Sequence, residues 1–141
     1  MFRSITYFFP VLLLVLAIGC GSGKSPNPGY EYVEGIVTLD DEPVSGASVA
    51  FFPITDTPPM ETATGVTNEK GVYRLLSKTL VGAVAGEYKV LIAKTTPPQT
   101  EDFSQAQDLL PGIYKHPKNT PLTATVNKGR NKIDFELKSK P

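Results

Sequence analysis

The amino-acid sequence predicts an all-β fold, a seven-stranded antiparallel sandwich, on three observations. Apolar residues recur with a period of two along most of the chain. The short runs so defined are separated by clusters of Gly, Pro, Asn and Asp, and no long stretch carries the spacing of an amphipathic helix. Hydrophobic residues make up 40% of the 141, which is enough for one core and therefore one domain.

The chain opens on a segment of different character, residues 1–19. Arg3 is its only charge, and the apolar run 8–18 is interrupted only by Pro10. A short cationic stretch before such a run reads as a helical export signal. As a helix the run rises about 16 Å against a bilayer core of about 30 Å, too short for a standing span. It ends in Leu16-Ala17-Ile18-Gly19-Cys20, which resembles the lipobox of bacterial lipoproteins. That resemblance implies acylation of Cys20, the only cysteine in the chain, and a contact with membrane lipid through it. Residues 20–29 then hold the lipidated Cys20 and a spacer of Gly, Ser, Pro, Asn and Lys24, without a large apolar side chain. Such a spacer has an end-to-end distance of roughly 15–18 Å. The folded domain is expected over 30–141.

In that domain Val33, Gly35, Val37 and Leu39 alternate with Tyr32, Glu34, Ile36 and Thr38, and Asp40-Asp41-Glu42-Pro43 follows as a turn. Ala47, Val49 and Phe51 face one way in the next strand, which closes at Pro53. A weaker strand covers 62–67. The turn Asn68-Glu69-Lys70-Gly71 leads to a strand with Tyr73 and Leu75 on one face, and a least-marked strand falls at 79–84. Tyr88, Val90 and Ile92 define the next strand. A final hairpin is expected from Leu122, Ala124 and Val126, a turn at 127–130, and Ile133, Phe135 and Leu137. The one helical expectation is a turn or two at 104–110, capped by Ser104 and stopped by Pro111. The predicted core is Val37, Leu39, Ala47, Val49, Phe51, Tyr73, Leu75, Tyr88, Val90, Ile92, Leu122, Ala124, Val126, Ile133, Phe135 and Leu137.

Three motifs then line up: Gly35-Ile36-Val37 through Asp40-Asp41-Glu42-Pro43 to Gly46-Ala47-Ser48-Val49; Thr67-Asn68-Glu69-Lys70-Gly71-Val72-Tyr73; and Gly86-Glu87-Tyr88-Lys89-Val90. Together they resemble the carboxypeptidase regulatory-like domain, a transthyretin-like (prealbumin-like) sandwich, over about residues 32–137. The whole chain is most similar to small bacterial lipoproteins built from a signal peptide, a lipobox, a spacer and one such domain. Asp41 stands where that family has Gly in the first turn, and about 1 kcal/mol of strain is expected there, since Asp tolerates a left-handed conformation better than most residues.

Function is less legible. The 14 Lys and Arg balance the 14 Asp and Glu, so no basic surface for nucleic acid is indicated. A single Cys excludes an intrachain disulfide and a multi-cysteine metal cage. The chain has one His, His116, on a Pro-rich loop, and no nucleophile-elbow, zinc-protease or phosphate-loop motif. Asp40, Asp41 and Glu42 are the only carboxylate cluster, without the spacing of a calcium loop. No enzyme activity, cofactor or metal is therefore expected. The primary expectation is a non-enzymatic accessory or interaction module of the cell envelope, anchored in the cell membrane or outer membrane and facing the periplasm or cell surface, with an envelope protein or glycan as partner. The alternative is a carbohydrate- or peptide-binding module using loop 95–120, with Phe103, Tyr114 and His116 as candidate ligand-binding residues. Aromatic rings stack on sugars, and a loop of that length is commonly functional.

Overall fold

The computed structural model describes residues 27–55, 60–96 and 107–140. The export signal at 1–19, Cys20 and the spacer up to residue 26 lie outside the described residues. What is described is an all-β sandwich of two sheets.

The first sheet is built around β1 (Tyr32–Leu39). On one side β1 pairs antiparallel with β2 (Glu42–Pro43) and β5 (Val72–Arg74). On the other it pairs with β10 (Arg130–Lys132) and β11 (Phe135–Leu137). The second sheet runs β7 (Leu80–Val81), β6 (Leu76–Ser77), β4 (Ala63–Val66), β3 (Ser48–Pro53), β8 (Gly86–Ala93) and β9 (Thr123–Val126). The period-two pattern becomes burial directly: β4 and β9 alternate buried and exposed residues, and Val33 and Val37 of β1 point inward.

The two sheets meet in an aromatic cluster. Phe51 and Tyr88 of the second sheet pack on Tyr73 and Phe135 of the first, with Phe51 centroids 6.3 Å from Tyr73, 5.6 Å from Tyr88 and 6.0 Å from Phe135. Such pairs contribute about 0.5–1.5 kcal/mol each beyond their buried area. Both phenols of the cluster have acceptors: Tyr73 donates to the Ile133 carbonyl at 2.6 Å and Tyr88 to the Val84 carbonyl at 2.7 Å. Most of the predicted core is buried; Leu39, Leu122 and Ile133 are half-buried against it. Val33, Val44, Ala63, Ala83, Leu110 and Tyr114 join it.

Three expectations are corrected. The first sheet is not purely antiparallel, because β1 runs parallel to β10 and β11. The closing segments do not form a hairpin: β9 pairs with β8 in one sheet, while β10 and β11 pair with β1 in the other. Asn131, which is buried, braces the crossing. Its Oδ1 accepts the Asn127 N–H at 2.8 Å, and its Nδ2 donates to the carbonyls of Asn127 at 2.8 Å, Gly129 at 3.4 Å and Tyr32 at 3.3 Å. One carboxamide thus serves backbone groups of the turn and of β1, and the chain crosses between sheets at 127–129. Finally, residues 107–110 are not helical. Thr96 N–H donates to the Gln107 carbonyl at 2.9 Å, and Leu109 N–H to the Lys94 carbonyl at 2.8 Å, so this stretch forms a short antiparallel ladder.

Eleven strand segments are present among the described residues: Glu42–Pro43, expected as turn, pairs with β1 as β2, and two expected strands are interrupted. At Asp134 the side chain takes the Ile36 N–H at 2.8 Å in place of a backbone acceptor, separating β10 from β11. Leu75 separates β5 from β6 by changing sheets: its N–H donates to the Val33 carbonyl at 3.1 Å and its carbonyl accepts from Gly82 N–H at 2.8 Å.

Candidate functional site

The sheet change at Leu75 shapes an open concavity on the outer side of the second sheet. With Leu75 fully buried as the pivot, the chain leaves the first sheet at Arg74 and enters the second at Leu76. β5 and β4 come close where they cross: a Cβ on Gly65 would lie 2.4 Å from the Arg74 carbonyl oxygen, so only glycine permits this approach. The result is an open groove of about 650 Å³.

Its floor is the outer side of β3, β4 and β6. The ladder sets two rows across it, Ser48 opposite Val66, and Thr64 opposite Leu76. Val66 is 67% and Leu76 43% exposed, which is unusual for aliphatic residues on a sheet whose other face is core. Asn68, Val72 and Arg74 complete the lining. Asn68 is held by its turn. Its Oδ1 accepts the N–H groups of Lys70 at 2.9 Å and Val72 at 3.0 Å, so the amide N–H₂ is what it can turn outward. Gly71 closes that turn at φ +73°, a conformation glycine adopts without strain. Ser48, Thr64, Asn68 and Arg74 offer hydrogen-bond donors, and no carboxylate or imidazole is among the lining residues.

Arg74 also connects the groove to a polar cluster centred on Glu34. The Glu34 carboxylate accepts from the Tyr32 hydroxyl at 2.8 Å, lies 3.4 Å from Arg74 Nε and 3.8 Å from Arg130 Nη2. Arg130 in turn covers the Tyr32 ring, 4.4 Å from its centroid. The Tyr32 hydrogen bond, aided by the two guanidinium groups, holds the Glu34 carboxyl below the ordinary glutamate value. Burial, and then the Glu34 carboxylate, pushes the Tyr32 phenol up. Two guanidinium groups share one carboxylate, which leaves this part of the surface with positive charge to spare.

Of the lipidation and ligand-binding residues singled out from the sequence, only Tyr114 and His116 are described. Cys20 and Phe103 lie outside the described residues. Tyr114 is a core residue, 4% exposed, whose hydroxyl accepts from Lys138 N–H at 3.0 Å and donates to the Lys138 carbonyl at 3.3 Å. It pins the C-terminal strand and presents no ring face to a ligand. His116 is exposed, in a turn where its carbonyl accepts from both Asn119 and Thr120 N–H. In the described part of loop 95–120, Leu110 is buried and Thr120 donates to the Val90 carbonyl at 2.8 Å. Asp40 caps the chain end by accepting Ser139 N–H at 3.2 Å, and Asp41 faces Lys138. Among the described residues no three His, Cys, Asp or Glu side chains come together as a metal site, and no helix is long and apolar enough to cross a membrane.

The groove was missed from the sequence, although one signal was there. Gly65, isolated within a strand pattern, marks a close backbone approach. Comparison with known protein families, with curated proteins and with solved structures finds no match to this chain.

Proposed function

We propose that this chain is a non-enzymatic cell-envelope lipoprotein: a β-sandwich held at a membrane by acylated Cys20, which binds a partner through the groove between β4, β5 and β6. The observation that carries the binding role is the groove itself. It exposes aliphatic side chains beside hydrogen-bond donors and a guanidinium, the mixture typical of recognition sites. Its hydroxyls, Ser48 and Thr64, have no base among the lining residues to activate them, which supports binding without chemistry. The anchoring role is supported by Leu16-Ala17-Ile18-Gly19-Cys20 at the end of the apolar run.

The finer fold reading is carboxypeptidase regulatory-like. Its support is the position of the family-like motifs: Asp40 and Asp41 occupy a two-residue turn between β1 and β2, and Gly46 and Gly71 sit in turns at φ +68° and +73°. Radiolabelled palmitate fed to expressing bacteria tests the anchor. The chain is expected to take up label and fractionate with membranes, and Cys20→Ser to lose both. Label retained on Cys20→Ser, or an unlabelled chain in the soluble fraction, overturns it.

A further inference from the structure

We propose that the groove takes an extended peptide segment bearing a carboxylate, with Arg74 meeting the acid and Val66 and Leu76 meeting the aliphatic side chains that flank it. This deepens the binding role proposed above and is independent of the lipid anchor. Three features of the site select this ligand class.

The first is charge. Among the lining residues the only ionisable group is Arg74, and every polar side chain there has a donor to offer. Arg74 meets Glu34 through Nε alone, at 3.4 Å, and Glu34 is already shared with Tyr32 and Arg130. The terminal guanidinium nitrogens can therefore serve a second carboxylate. An anionic ligand complements this surface, and a cationic one does not.

The second is spacing. The two floor rows, Ser48 with Val66 and Thr64 with Leu76, are two residues apart along β4. That is about 7 Å, the distance between side chains i and i+2 of an extended strand. A peptide lying along β4 would set side chains i and i+2 of one face onto successive rows, each offering one hydroxyl and one aliphatic contact, and the acid between them would project off the floor, to be met by Arg74 from the neighbouring sheet.

The third is the absence of rings. No aromatic side chain is among the lining residues, so the stacking that sugar recognition relies on is missing, and a peptide is favoured over an acidic glycan.

The test is an amide-resolved NMR titration of the Cys20→Ser chain with the peptide Ac-TVEVT-NH2. Its neutral counterpart Ac-TVQVT-NH2 and tri-galacturonic acid are the comparison probes. The acidic peptide is expected to shift the Gly65, Val66, Arg74 and Leu76 amides. The neutral peptide should bind about fivefold more weakly, the order expected of one solvent-exposed charge pair. Arg74→Gln should abolish the difference between the peptides, and the neutral truncation Val66→Ser should weaken both by about fourfold, the worth of one buried methylene-sized apolar group. Well-dispersed spectra of both variants establish that they remain folded. The proposal is overturned if the acidic peptide leaves those amides unmoved up to about 5 mM, a free energy near 3 kcal/mol. Equal affinity for the two peptides in the parent chain, or stronger binding of tri-galacturonic acid at the same amides, also overturns it. Loss of palmitate labelling would refute the anchor and leave this result untouched.

Discussion

Asn131→Ala removes the side chain that braces the polypeptide where it crosses from one sheet to the other. Two of its four hydrogen bonds are short, both to Asn127 at 2.8 Å, and two are longer, 3.3 Å to Tyr32 and 3.4 Å to Gly129. The short pair contributes about 1 kcal/mol each, and the longer pair less. Asn127 is exposed, so water can re-engage its freed groups and limit the penalty for leaving them unpaired. The expected loss is about 2–3 kcal/mol, a fall in melting temperature of roughly 10–20 °C for a domain of this size. Urea unfolding followed by far-ultraviolet circular dichroism measures it. Asn131→Asp sharpens the test. The aspartate keeps the acceptor for Asn127 N–H but sets a carboxylate against three carbonyl oxygens, so its folded-state pKa rises above the ordinary aspartate value of about 3.9. The folded state then binds more protons than the unfolded state, and stability falls as pH rises from the unfolded to the folded pKa. Asn131→Asp should lie closest to the parent chain in acid and farthest from it at neutral pH. An Asn131→Ala loss under about 0.5 kcal/mol, the range of ordinary surface substitutions, would refute the assigned role. So would an Asn131→Asp variant whose pH profile parallels the parent.

Gly65→Ala should cost about 3 kcal/mol, because the clash is with the backbone oxygen of Arg74 at 2.4 Å and not with a side chain that can rotate; thermal unfolding reads it, and a neutral outcome would mean β4 and β5 are not in close approach. Asp41→Gly should stabilise by about 0.5 kcal/mol: φ is +72° there, relief of left-handed strain is worth about 1 kcal/mol, and the added unfolded-state entropy of glycine offsets part of it. Asp40→Gly should gain nothing in the same urea titration, since it loses the bond to Ser139. Tyr32→Phe should raise the Glu34 pKa toward 4.5 by removing the main cause of its depression, as a carboxyl-carbon NMR titration would show. With Glu34 depressed in the folded state, its contribution is full above pH 4.5 and lost as pH falls through the folded value, so Tyr32→Phe should flatten this acid limb of the stability profile.

How far the sequence carried the fold depends on which physical signal each element uses. Burial on one face leaves a period-two trace, and β1, β3, β8 and β9 could be placed from it. The Asp40-Asp41 turn was legible for a similar reason, since a two-residue connection between antiparallel strands demands positive φ and the residues that tolerate it. Strand partners leave no such trace. The run from Ile133 to Leu137 alternates equally well whether its neighbour is β9 or β1, so the expected hairpin and the observed parallel pairing share one pattern. At the point where they part sits Asn131, a polar residue buried by its position in three dimensions and ordinary in a turn by composition.

The groove was hidden by the same ambiguity at Leu75. In the sequence Tyr73, Leu75 and Ser77 continue one inward face, and all three are buried in the structure. The alternation survives because both sheets contribute to a single core, so a chain passing from one to the other never exposes its inward residues. Only the backbone partners change, from Val33 before the crossing to Gly82 after it. A switch that conserves the burial pattern is invisible to periodicity, yet it is what brings Arg74 of one sheet beside Val66 and Leu76 of the other. Aromatic residues, by contrast, drew notice to loop 95–120, where Tyr114 proved to be core. A ring is read from composition as a contact surface, but in a domain without disulfides its larger use is to fill space between the sheets. The exposed aliphatic pair Val66 and Leu76, separated by nine intervening residues and aligned only by the sheet change, is the surface feature that composition could not mark.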